Sequence, residues 1–432
     1  MLLGLASLAA GPVAALPLPQ AVALAQEQDP WIQGSHHREQ GLTSQQVAAG
    51  TLPDPQVSAG FANLPTDTFD FEQEAMTQFK VGITQAIPRG DSRRLRQQQL
   101  GSLAAQHPLQ RADRRAQVAE HVSVTWLEAW RAQETIRLIE QDRDLFEQLV
   151  DVAQSNYASA LGQTRQQDLI RAQLELTRLD DRLVQLNTTL DMSLSQLSQW
   201  LQASPGQASP GQASPGNTIV SGPLPTLVPL EDRWLSSLPQ QDIARRLSQH
   251  PAILAVDREL DAKSTGVSLA EQQYKPEWRL NASYGYRDDD PMGPERADFF
   301  SVGVSFDLPI FTGKRQDQQL QSATAATEAA RTRRTLMLRK MVADFQSQRT
   351  RLMRLEQRAS LYDDRLLREM QDQAEASLTA YTNDDGDFAE VVRAKIAELN
   401  ARIDALGIQV DRQISIARIN YFFASANQEQ AL

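Results

Sequence analysis

Two stretches lying half the chain apart repeat one pattern. Asp29-Pro30-Trp31-Ile32 matches His250-Pro251-Ala252-Ile253, and Val81-Gly82-Ile83 with Pro88 matches Val302-Gly303-Val304 with Pro309. Asp168-Leu169-Ile170-Arg171-Ala172 is answered by Glu390-Val391-Val392-Arg393-Ala394, and Glu175-Leu176 by Glu398-Leu399. A register held over four landmarks marks a tandem duplication, so each half is read as one structural unit.

That constraint reshapes what length and composition imply. The 432 residues alone would allow two or three globular domains. Only 6% are aromatic, and Gln, Ala, Leu and Arg dominate long tracts, which suits extended helices packed in narrow seams. The net charge of −11 argues against nucleic acid as a partner. With no cysteine, disulfides and thiolate sites are excluded. Residues 1–15 form an apolar run ending in small residues, as a secretory signal peptide does, though without a charged start. The alternative is a buried N-terminal helix. The run is too short to cross a bilayer as a helix.

Residues 17–50 read as helical, with Gly50 and Pro53 stopping the pattern. The period then changes to two. Gln56-Val57-Ser58-Ala59-Gly60-Phe61 and residues 79–87 alternate apolar with polar or small side chains. So do Trp278, Leu280, Ala282, Tyr284 and Tyr286, and then Phe300, Val302, Val304, Phe306 and Leu308. These are four strands of about 9–11 residues, the length of a tilted membrane strand. Ordinary half-buried hairpins are the alternative, but they leave the regular polar and glycine face unexplained. The expected hairpins span 56–87 and 277–308; Trp278, Leu280, Tyr284, Val302 and Val304 are the expected lipid-facing positions.

Each hairpin exits through a proline and a basic cluster, Pro88 to Arg94 and Pro309 to Arg315. Long helices are expected over 92–160 and 314–382, each rod about 100 Å long at ~1.5 Å per residue. Return helices are expected over 165–201 and 388–424. In the first, Leu169, Ala172, Leu176, Leu179, Leu183, Leu186, Leu190, Leu194, Leu197 and Leu201 step by threes and fours, a seam for coiled-coil packing against the preceding helix. The repeats thus occupy 16–201 and 241–425, with a tail at 426–432. Between them, within 202–240, three copies of Gln-Ala-Ser-Pro-Gly read as a flexible linker, and the segment after them as loosely packed against the middle of the rod.

Four strands cannot close a barrel, and an open edge in hydrocarbon leaves backbone groups unpaired. Copies of the chain must complete it: two would give eight strands, three twelve. The order helix, hairpin, long helix, return helix, repeated once, resembles the TolC-like outer-membrane efflux channel family. Asp29-Pro30, Leu52-Pro53-Asp54-Pro55-Gln56, Pro309 to Arg315, and the turn motifs Gly162 to Ala172 and Gly386 to Ala394 carry the resemblance over nearly the whole chain. Asn63-Leu64-Pro65-Thr66-Asp67-Thr68-Phe69 and Met76-Thr77 further resemble its heavy-metal branch, the cobalt–zinc–cadmium and copper channels. The first exit motif, Pro88-Arg89-Gly90-Asp91, departs from the aromatic–Gly–Lys pattern usual there.

The resemblance implies a mixed α/β membrane protein. Its protomer is a tandem repeat of four transmembrane β-strands plus long coiled-coil α-helices. A homotrimer would form a 12-stranded β-barrel and an α-helical periplasmic tunnel in the outer membrane of a Gram-negative bacterium. It also implies a passive duct for heavy-metal cations or other small toxic solutes. The implied partners are a periplasmic adaptor (membrane fusion) protein, an inner-membrane pump of RND type and outer-membrane lipid. Multidrug efflux or type I secretion on the same fold, and a periplasmic coiled-coil scaffold with no pore, are the alternatives.

Nothing in the sequence assembles a catalytic or cofactor site, so an enzyme is not expected. His36-His37 followed by Arg38-Glu39 lacks the i, i+4 spacing of paired metal ligands, and Gly313-Lys314 lacks the first glycine of a phosphate loop. The remaining candidate is the turn Asp384, Asp385, Asp387 and Glu390, with Arg393 after it. A solvated turn explains that sequence by itself. The resemblance instead places Glu390 at the tunnel's closed periplasmic end, where Arg393 interrupts a purely acidic ring.

Overall fold

The computed structural model describes residues 16–158, 166–201, 220, 222–229, 239–289, 293, 295–383 and 386–425. Helix α1 (Leu18–Gln28) and helix α2 (Pro30–Ala49) meet at Asp29-Pro30. Pro30 lacks the N–H that would continue α1, so it opens α2 instead. Asp29 serves as the cap: its carboxylate accepts the Trp31 N–H at 3.0 Å and the Arg114 Nε–H at 2.7 Å.

Strands β1 (Gln56–Ala62) and β2 (Gln78–Ile87) follow, then α3 (Ser92–Ala104), α4 (Gln106–Ala158) and α5 (Gln166–Leu201). The expected rod over 92–160 is thus interrupted at Ala105. Pro108 cannot donate to the carbonyl of Ala104, and the helix breaks one turn ahead of it. In the second half come α6 (Gln240–Leu247), α7 (Pro251–Glu271), β3 (Trp278–Tyr286), β4 (Phe299–Phe306), α8 (Gln316–Leu361), α9 (Leu367–Thr382) and α10 (Phe388–Tyr421). A single π-helical turn, Tyr362–Leu366, joins α8 to α9 inside the rod expected over 314–382.

Two compact units result, and each draws on both sequence repeats. One comprises Met1–Gln33, Ala112–His250 and Arg339–Leu432; the other comprises Gly34–Arg111 and Pro251–Leu338.

In the first unit the leucine seam of α5 is buried as its spacing requires. Ala172, Leu176, Leu179, Leu183 and Leu186 pack with Ile139, Phe146 and Leu149 of α4, but also with Val391, Val392 and Leu399 of α10. Leu190, Leu194, Leu197 and Leu201 join a second cluster around Val118, Val122, Trp126 and Leu127. The side chain of Leu169 lies outside the described residues. Among the described seam leucines Leu179 and Leu197 are buried, each contributing about 1.5–3 kcal/mol, and the half-buried ones contribute less.

Of the segment expected to pack loosely, Val220 and residues 222–229 are described, and three of their side chains turn inward. Val220 is 1% exposed within the Trp126 cluster, and Leu224 and Leu227 pack against it. The Leu227 N–H donates to Gln413 Oε1 at 2.7 Å, and Trp130 Nε1 donates to the Gly222 carbonyl at 3.0 Å. Val220, Leu224 and Leu227 turn inward while Val228 is exposed, and side-chain partners for the Gly222 carbonyl and the Leu227 N–H fix the segment between them. The three Gln-Ala-Ser-Pro-Gly copies lie outside the described residues.

The second unit carries the sheet, with strand order β1-β2-β3-β4 and every pair antiparallel. β1 and β4 form its edges. Pro55 before β1 and a left-handed Asn63 (φ 58°) after it hold that strand to seven residues, shorter than the alternation suggested.

Candidate functional site

The register decides which side chains share a face. Val57 pairs with Ile83, Val81 with Tyr284, Ile83 with Ala282, Leu280 with Val304, and Ala282 with Val302. Because side chains alternate, these pairs stack into one apolar face across all four strands. The other face carries Ser58 opposite Gly82, Thr84 opposite Asn281, and Ser283 opposite Ser301. Trp278, Leu280, Tyr284, Val302 and Val304 all lie on the apolar side, and all are exposed. Val57, Phe300 and Val302 reach 72%, 73% and 70% exposure. A soluble chain seldom leaves so large a contiguous apolar surface uncovered.

Aromatic rings gather at both ends of the strands. At the hairpin turns Phe61 contacts Phe71 and Phe79, and Phe71 stacks on Tyr286. At the opposite end Trp278 packs on Phe306 with ring centres 4.6 Å apart. Of these rings Trp278 and Tyr286 carry a polar group, and they stand at opposite ends of the apolar band.

The turn between α9 and α10 is described through Asn383 and again from Gly386; Asp384 and Asp385 lie outside the described residues. A Cβ on Gly386 would stand 2.5 Å from the backbone nitrogen of Tyr381, so the close approach of the turn to the end of α9 needs glycine. The Tyr381 and Phe388 rings meet edge to face at 5.6 Å and anchor the turn. Asp387 caps α10 by accepting the Ala389 N–H at 3.1 Å. Glu390 and Arg393 are both exposed and pair with each other, Nη1 to Oε2 at 2.7 Å. One carboxylate is therefore committed to a cap and the other has its counter-charge within the same chain.

Sequence reasoning missed a half-buried polar contact between α4 and α10, with the buried His250 beside it. Tyr421 Oη donates to Asp113 Oδ1 at 3.0 Å, and Gln117 Nε2 donates to Asp113 Oδ2 at 2.8 Å. His250 Nε2 lies 2.9 Å from the Tyr421 carbonyl; since a carbonyl only accepts, that nitrogen carries the proton. Burial pushes the Asp113 carboxyl up to about 6 and the His250 imidazole down to about 4. Histidine in a helix-initiating His-Pro pair gave no signal for this contact, because its partner is far along the chain. Among the described residues no three His, Asp or Glu side chains are placed to hold a metal ion, and no helix is long and apolar enough to cross a membrane.

No family model and no curated protein matches the sequence. Solved structures do. VceC, an outer membrane protein of Vibrio cholerae, is 16% identical, with a TM-score of 0.75 over 95% of this chain and 97% of its own. The outer-membrane channel OprN gives 0.76 at 14% identity, covering 95% and 90%. The fold is that of the TolC-like outer-membrane channels. CusC, which forms a transmembrane channel, gives 0.72 at 14% identity over 94% and 93%. Its score does not exceed the other two, so the fold likeness singles out no one of these channels.

Proposed function

We propose that the chain is the passive outer-membrane exit duct of a tripartite efflux system. The exposed apolar face of a four-stranded sheet, backed by a polar face, is the observation that carries this reading. In water that surface is costly; in a bilayer it is solvated, and the polar face can line an aqueous bore. Unpaired edges at β1 and β4 cost several kcal/mol per group in hydrocarbon, which favours closure by further copies. With four strands each, a homotrimer supplies a 12-stranded barrel, and the helices supply the periplasmic tunnel. A periplasmic adaptor and an inner-membrane pump of RND type complete the path.

For the solute we propose heavy-metal cations. Asn63 to Phe69 with Met76-Thr77 supports that class, and the net charge of −11 suits cation passage. Light scattering in detergent is expected to give about three times the chain mass of 48.1 kDa, with steady conductance in planar bilayers. A monomer without conductance refutes the duct. Deleting the gene is expected to sensitise cells to zinc, cobalt or copper; sensitivity to organic toxicants alone would assign the alternative cargo.

A further inference from the structure

A groove of about 450 Å³ opens beside the base of β2, and its lining has two characters. Ala49, Leu52, Pro53, Pro88 and Leu269 supply apolar walls, while Arg93 and Arg96 stand among them. The apolar face of the sheet reaches the groove wall at Pro53. Gln85 projects from the same face as Val81 and Ile83, and its Nε2 donates to the Pro53 carbonyl at 2.8 Å. Pro88 directly follows Ile87, the last residue of that face.

The two arginines are exposed and short of anionic partners. Arg93 Nη1 donates to the Gly50 carbonyl at 3.1 Å and Arg96 Nη1 to Gln99 Oε1 at 2.7 Å. Neither pairs with a carboxylate among the described residues, whereas neighbouring Arg94 pairs with Asp91. A guanidinium has five donors, so most of theirs remain available. An apolar channel ending at two such cations matches one chemistry: an acyl chain joined to a phosphate of net negative charge.

We propose that this groove binds an anionic phospholipid, its headgroup on Arg93 and Arg96 and one acyl chain along Leu52, Pro53, Pro88 and Leu269. The assignment rests on the membrane reading of the sheet, because only there does the groove meet lipid. A free phosphate has no use for the apolar wall, and a zwitterionic headgroup would bring its own cation against the arginines.

The test uses the full chain in mild detergent and phosphatidylglycerol or phosphatidylcholine of equal chain length, read by native mass spectrometry. Phosphatidylglycerol is expected to be retained in preference. Arg93→Gln with Arg96→Gln is expected to weaken that retention roughly 30-fold, the loss for two basic groups at a membrane surface. Arg93→Lys with Arg96→Lys keeps most of it, and Arg94→Gln leaves it unchanged. Should the double glutamine variant fail to fold, Ala49→Trp fills the groove without altering charge and is expected to abolish the preference. Equal retention of both lipids, or a preference that survives the glutamines, overturns the site. Insertion into phosphatidylcholine liposomes separates the two readings. A chain that inserts but shows no preference loses only the groove assignment, and a chain that never inserts loses the membrane reading with it.

Discussion

Arg89, leaving the first hairpin, is ion-paired with Asp307 at the end of the second. Its other guanidinium nitrogen donates to the Lys275 carbonyl at 2.7 Å, while the Asp307 carboxylate also accepts the Glu277 N–H at 2.7 Å. One arginine thus ties the exit of β2 to the entry of β3 and the exit of β4. Beside it Gly90 sits at φ +44°, and a Cβ there would meet Gln272 Oε1 at 2.5 Å. The departure of Pro88-Arg89-Gly90-Asp91 from the usual aromatic–Gly–Lys exit has this physical content: the position serves as a clamp between hairpins.

Loosening that clamp is expected to cost stability. Arg89→Ala removes charge-assisted hydrogen bonds to two acceptors and should lower stability by about 1–3 kcal/mol. The lower midpoint in urea should appear in detergent-solubilised protein. Asp307→Asn is expected to do less, since an amide oxygen still accepts the Glu277 N–H. An unchanged midpoint for Arg89→Ala would show that strand pairing alone holds the hairpins.

Asp113 of α4 and His250 just ahead of α7, each hydrogen-bonded to Tyr421, should give two opposed pH slopes. Asp113 titrates at about 6 when folded and near 3.8 when unfolded, so its contribution falls as pH rises from 3.8 through 6. His250 titrates at about 4 when folded and near 6.5 when unfolded, so its contribution falls as pH drops from 6.5 through 4. Each slope is worth on the order of 3 kcal/mol, and in the wild type they largely cancel. Glu120, with its pKa raised by burial, and Arg418 and Arg246 are the other charges nearby. Asp113→Asn should therefore expose a loss of stability below pH 6.5, and His250→Gln a loss on raising pH from 4 to 6. Thermal melts across that range check both; parallel profiles in the two variants would contradict the assignment.

At the far turn, the intrachain pair of Glu390 with Arg393 sets the sign of the expected effects. Glu390→Ala should reduce cation selectivity in planar bilayers, and Arg393→Gln should raise it by freeing the Glu390 charge. Asp387→Ala should act on the helix instead, costing about 1 kcal/mol through its lost cap. Selectivity indifferent to both Glu390 and Arg393 would return this turn to an ordinary solvated loop.

The sheet was legible in the sequence because strand alternation is local: Trp278, Leu280 and Tyr284 declare their face within seven residues. The seam from Ala172 to Leu201 was legible for the same reason at helical spacing. Two kinds of feature were not. Asp29 and His250 are equivalent in the duplication, yet Asp29 caps α2 whereas His250 reaches the Tyr421 carbonyl. Equivalent positions diverge because their partners come from different parts of the chain. Likewise the firm seat of Val220 and Leu227 depends on Gln413 and on the Trp126 cluster, which composition around a Pro-rich segment does not reveal.

The most direct test of the central claim uses the absence of native cysteine. Single cysteines at Leu280, Tyr284, Val302 and Val304, and at Asn281, Ser283 and Ser305, are introduced and the protein is reconstituted in liposomes. A water-soluble maleimide is expected to label the Asn281, Ser283 and Ser305 positions and to spare the other four. The lipid-phase quencher of an attached fluorophore should show the reverse. Labelling of all seven positions alike would show that the apolar face meets water, and the outer-membrane duct would be contradicted.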